Sequence, residues 1–179
     1  MKSGGPCITL RACFGGIGIG LHGPVSVLIL LLLASTAHAW PARIVDVTDG
    51  DTITVEPAEG GNRIKVRLHG IDCPEKDQPG GEPARAFVHA VALYKLVDVQ
   101  QTPQQRDHDG RTVAVVILPG GESIQAALLR AGHAWVWPRY CRGCDEWQGL
   151  QEEARKAGRG IWQQEPMPPW EWWKGGRRK

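Results

Sequence analysis

Residues 63–68 alternate without a break, with Arg63, Lys65 and Arg67 on one side and Ile64, Val66 and Leu68 on the other. A period of two makes this a half-buried strand, apolar face to a core and charged face to water. Two β-branched runs precede it, 43–48 and 51–55, and Asp49-Gly50 between them is a strong signal for a two-residue hairpin turn. The cluster from Glu59 to Asn62 marks a second turn, so three strands in a meander are expected before residue 72. Pro83 then fits the first turn of a helix over 82–96, where Ala86, Phe87, Ala90, Val91 and Tyr94 recur at helical spacing. Residues 97–103 and 112–118 read as two further strands around the polar loop 104–111. Ser123 and Gly132 suit the cap and the stop of a helix over 124–131, and a third helix over 145–157 ends at Gly158 and Gly160. Five short strands with a helix after the third match a five-stranded OB barrel. The expected class is therefore α+β, a five-stranded OB-fold β-barrel with three α-helices.

Both ends of the chain differ from this middle. Lys2 and Arg11 are the only charges before residue 40, residues 25–34 are almost wholly apolar, and Ala37-His38-Ala39 has the small-x-small pattern of a cleavage site. The apolar run of about ten residues is half the ~20 needed to span a bilayer. Residues 1–39 are accordingly expected to be a signal peptide, with a retained anchor as the alternative. The predicted domain covers 40–164, and 165–179 is a Trp- and Pro-rich tail with a basic end. Without Lys2 and Arg11 the 21 basic residues fall to 19, equal to the 19 acidic ones. Net charge therefore gives no nucleic-acid footprint, and any grip on phosphate must be local.

The chemistry-bearing residues cluster. Arg67-Leu-His-Gly-Ile-Asp72-Cys73-Pro74-Glu75 places a cation and two carboxylates at the exit of a strand, in a turn fixed by Pro74. Asp51 begins the second strand, and antiparallel pairing of strands two and three brings it to the same rim as Asp72. Two carboxylates with a backbone carbonyl and waters suit a hard cation such as Ca²⁺ or Mg²⁺ rather than zinc. Taken singly, Asp51 is an ordinary turn acid, Glu75 an ordinary loop residue, and Arg67 and Arg111 ordinary strand-edge arginines. Their order and spacing carry the reading.

Asp49-Gly50-Asp51-Thr52, Arg67-Leu-x-Gly-Ile-Asp72-x-Pro74-Glu75 and Asp107-x-x-Gly110-Arg111 together resemble the thermonuclease, or staphylococcal-nuclease-like, family. The similarity runs from about Arg43 to Trp162. It implies an OB-fold, Ca²⁺-dependent endonuclease that hydrolyses DNA and RNA to 3′-phosphate products, monomeric and without an obligate protein partner. By the same resemblance Asp51 and Asp72 bind Ca²⁺ through side chains and Cys73 through its backbone carbonyl. Glu75 is implied as general base or water-orienting group, and Arg67 and Arg111 as the clamp on the scissile phosphate. Trp135, Trp137 and Tyr140 fall where the family has aromatics near the bound nucleotide. Two departures stand out: Cys73 replaces the usual Thr or Ala, and His108-Asp109 places an acid beside the phosphate clamp.

Two other classes fit parts of the pattern. A catalytically silent OB-fold module would bind nucleic acid, but silent copies lose the carboxylates or arginines that stand here. A thiol-disulfide protein using Cys141-Arg-Gly-Cys144 would need a βαβ context that the pattern lacks. After removal of the leader Cys73, Cys141 and Cys144 remain, an odd number that leaves the pairing open. Export to a periplasmic or extracellular location is expected.

Overall fold

The structure, a computed structural model, describes residues 39–176. The expected signal peptide lies outside the described residues except for Ala39, which opens the first strand. Strands β1 (Ala39–Val47), β2 (Thr52–Pro57) and β3 (Ile64–Leu68) form the meander, followed by the short β4 (Ile71–Asp72). Helix α1 (Gly81–Ala92) leads to β5 (Leu96–Arg106) and β6 (Thr112–Ile117), then α2 (Ile124–Ala131) and the short β7 (Trp135–Val136). Helix α3 (Asp145–Lys156), a 3-10 turn (Gly160–Gln163) and α4 (Pro169–Gly176) complete the chain.

The barrel closes in the order β1-β2-β3-β6-β5, with β3 and β6 parallel and β5 returning antiparallel to β1. This is the five-stranded OB arrangement, and the alternation of β3 sits in it as its period demands. Val66 and Leu68 are in the core, while Lys65 faces out. In β1 the inward parity runs through Ala42 and Ile44, then changes so that Val47 is also buried. The register shift between Ile44 and Asp46 supplies the extra residue. Helix α2 is fixed by Gln125, fully buried, whose Oε1 accepts from Val116 N (3.3 Å) and whose Nε2 donates to Ala114 O (2.9 Å).

Three expectations change. The β1–β2 connection spans residues 48–51: the last pair is Val47 with Ile53, and the amides of Thr48 and Asp49 both donate to Thr52 O. Gly50 lacks the positive φ that a two-residue primed turn needs. Its role is close approach, because a Cβ there would lie 2.7 Å from Cys73 Cβ and 2.8 Å from Ala84 Cβ. Helix α1 stops at Ala92, so Tyr94 is exposed; its amide turns away to Ile44 O (2.8 Å). Finally, the described residues hold four α-helices rather than three, since the tail forms α4 with Pro169 at its first position. Among the described residues no helix is long and apolar enough to cross a membrane.

Candidate active site

The barrel rim assembles the acids and Arg67 through strand pairing. Thr52 lies opposite Arg67 in the β2–β3 ladder, and Leu68 N donates to Asp51 O (2.8 Å), which holds Asp51 at the end of β3. Asp72 pairs with Trp135 in the two-stranded β4–β7 sheet beside the barrel. The Arg67 guanidinium lies between the two carboxylates: Nη1 pairs with Asp51 Oδ1, and Nη2 donates to Asp72 Oδ1 (2.5 Å). Asp51 Oδ2 also accepts from Cys73 N (2.7 Å), and Asp49 Oδ1 accepts from Asp51 N (3.0 Å). Both Asp51 and Asp72 are buried.

Two buried carboxylates thus share one guanidinium, with Asp49 and Glu75 close by. Burial, then repulsion from Asp51, pushes Asp72 up to about 7 despite Arg67. Asp49 rises to about 6 for the same two reasons. Burial also raises Glu75, against the opposing hydrogen bond from Trp173. Burial alone would lower Arg67, but Asp51 and Asp72 outweigh it and hold the guanidinium firmly charged. The site is short of positive charge, and its donors are hard oxygens, a combination that fits a divalent cation of the Ca²⁺ or Mg²⁺ type. Among the described residues no three His, Cys, Asp or Glu side chains form a cage, so protein carboxylates would supply only part of such a coordination shell.

Arg111 enters from the loop before β6. Its amide and Nε donate to Asp107 Oδ1 (2.9 Å) and Oδ2 (2.7 Å), and Nη2 pairs with Asp109 Oδ2 (3.0 Å). Its Nη1 reaches Thr52 Oγ1 (3.4 Å), and that hydroxyl donates to Asp51 Oδ1 (3.3 Å). Thr52 therefore links the two arginine centres. Arg67, His69, Asp107, Arg111, Trp137 and Tyr140 line one cavity of about 230 Å³. The Trp137 and Tyr140 rings meet edge-on at 4.6 Å, and the loop that follows is closed by a Cys141–Cys144 disulfide, leaving Cys73 as a buried free thiol. Gly70, with φ +73°, leaves room for that disulfide: a Cβ would lie 2.8 Å from Cys141 Sγ.

The family described as staphylococcal nuclease homologue matches residues 65–164, which hold Arg67, Asp72, Glu75 and Arg111. The chain belongs to that family. It is accordingly a hydrolase of the nuclease type, acting on phosphodiester bonds. An uncharacterised endonuclease of Escherichia coli O157:H7 is 37% identical over 142 residues, covering 75% of this chain and 90% of its own. A micrococcal nuclease of Shigella flexneri is 31% identical over 159 residues, covering 83% and 89%. An uncharacterised endonuclease of Haemophilus influenzae is 32% identical over 143 residues, covering 79% and 78%.

Within this family member, the residues singled out by sequence divide. Asp51, Arg67 and Asp72 meet directly, and Arg111 joins them through Thr52. Trp137 and Tyr140 line the cavity. Trp135 does not: it is 6% exposed and packs edge-on against Trp162 and Trp170, which leaves no face for a base. Its place in the stacking set is corrected to core. Thr52 and Asp107 escaped notice, although both lie inside the quoted motifs. Gln78 and Trp173 also touch the site's chain and had no local signal: Gln78 Oε1 accepts from Glu75 N (3.1 Å), and Trp173 Nε1 donates to Glu75 Oε1 (2.7 Å).

Proposed function

We propose that this nuclease is an exported, Ca²⁺-dependent enzyme acting on both DNA and RNA. The observation that carries the reading is the pair of buried carboxylates, Asp51 and Asp72, sharing the single guanidinium of Arg67. Asp51 and Asp72, with the Cys73 carbonyl, would hold Ca²⁺, which when bound supplies Lewis-acid polarisation of the phosphate. Glu75 takes the proton of the attacking water. Arg67 and Arg111 bind the scissile phosphate and stabilise the charge that develops on it. Trp137 and Tyr140, in the same cavity as both arginines, offer rings to an unpaired base, a contact worth about 1–3 kcal/mol and indifferent to sugar type. The leader-like sequence before Trp40 and the Cys141–Cys144 disulfide both suit a periplasmic or extracellular location.

Digestion of single-stranded DNA and RNA in chelator, Ca²⁺ and Mg²⁺ tests the reading. Cleavage of both substrates should vanish in chelator and return with Ca²⁺. Undiminished cleavage in chelator would overturn the cation role, and cleavage of one polymer alone would overturn the dual specificity. The mass of the protein recovered outside the cytoplasm tests export, with a chain beginning at Trp40 expected.

A further inference from the structure

The C-terminal tail reaches Glu75 directly at its carboxylate and, through Gln78, at its backbone amide. Trp173 Nε1 donates to the carboxylate oxygen Oε1 (2.7 Å), leaving Oε2 free of that bond. At the backbone, Glu75 N donates to Gln78 Oε1 (3.1 Å), and Gln78 Nε2 donates onward to Met167 O (2.6 Å). Gln78 is buried, so this relay runs inside the protein. The helix that carries Trp173 is itself anchored. Trp170 lies nearly parallel to Trp137 at 6.5 Å (12° between planes) and meets the buried Trp135 edge-on at 6.5 Å. Glu75 sits in a Pro-bounded loop, where a carboxylate on a flexible stem has no fixed direction of its own. A donor on one oxygen and a tether on the amide remove that freedom.

We propose that the segment from Met167 to Trp173 is a positioning element for Glu75, with Trp173 as its positioning residue. The inference rests on Glu75 as the general base. Trp173 acts through Glu75, whose Oε1 its indole N–H holds, aiming the carboxylate at the attacking water. An appended tail is thereby part of the catalytic apparatus.

A double-mutant cycle on the full-length protein in Ca²⁺, with single-stranded DNA as substrate, tests this. Trp173→Phe keeps a six-membered aromatic ring at this position and removes the N–H together with the five-membered ring that bears it. It should lower kcat about tenfold, the scale of one hydrogen bond to a charged group, with KM and the thermal midpoint unchanged. In a Glu75→Gln background the same substitution should have no further effect, because there is no base left to aim. Equal losses in both backgrounds, a change confined to KM, or a kcat at or above the wild-type value would overturn the proposal. Glu75→Gln retaining wild-type kcat by itself would instead remove the general-base reading and the inference with it.

Discussion

Arg67 and Arg111 face one cavity, yet they are supported in opposite ways. Arg67 stands on a barrel strand, its side chain 13% exposed, between two buried acids to which the proposed mechanism assigns the cation. Arg111 stands at the end of a loop, 24% exposed, and its partners Asp107 and Asp109 belong to that same loop. One arginine is therefore built into the barrel together with its acids, while the other is held by its own loop.

Arg67→Ala should show the largest effect. Breaking a buried ion pair leaves uncompensated charge and costs about 3 kcal/mol or more, and turnover should fall at least ~10²-fold with the loss of a phosphate donor. Denaturant midpoints and single-turnover rates measure the two losses separately; full stability in this variant would erase the distinction between the arginines. Arg111→Ala should lower turnover by ~10²-fold or more while stability changes by less than about 1 kcal/mol, the range of an ion pair near the surface. A near-wild-type rate would remove it from the transition state.

The smallest effect concerns the acids behind each arginine. Asp49, beside Asp51, is raised to about 6, whereas Asp107 is lowered because hydrogen bonds from Arg111 outweigh its burial. Between pH 4 and 6 the unfolded chain releases the Asp49 proton while the folded chain keeps it. Stability from this group thus falls as pH rises through that window and stays low above it. Asp49→Asn retains the acceptor for Asp51 N and abolishes the titration. It should add about 1 kcal/mol at pH 7, roughly 2–4 °C in Tm, and nothing at pH 4. Asp107 should behave in the reverse sense, its contribution present above its unfolded pKa and lost as pH falls. Melting curves that show the same sign for Asp49→Asn and Asp107→Asn would contradict the assignment.

Local chemistry decided which parts could be read beforehand. The limits of α2 follow from Ser123, whose side chain accepts from Ala126 N, and from Gly132 in the left-handed conformation. Both signals act within one turn. The rim of Asp51, Arg67 and Asp72 was likewise legible, because antiparallel pairing fixes where strand ends meet. The hairpin misled because Asp49-Gly50 has strong turn chemistry, yet Gly50 is small to clear Cys73 and Ala84, residues distant in sequence. Trp135 was misplaced for a related reason: an aromatic beside the site looks the same in sequence whether it faces a base or another Trp. Helix α4 did carry a signal in Pro169, but the contact of Trp173 with Glu75 spans 98 residues, and no period or motif reports it.

Gly50 carries a last consequence. The loop holding Asp51, the turn holding Cys73 and the helix holding Ala84 meet where there is no space for one further methyl group. The distance between the two site acids is thus set by atomic size, like the teeth of a gauge, as well as by directional bonds. An enlargement at Gly50 would push the Asp51 loop away from the turn that holds Cys73 and from the helix that holds Ala84. A redesign that widens the site would have to make room at Gly50, Cys73 and Ala84 together.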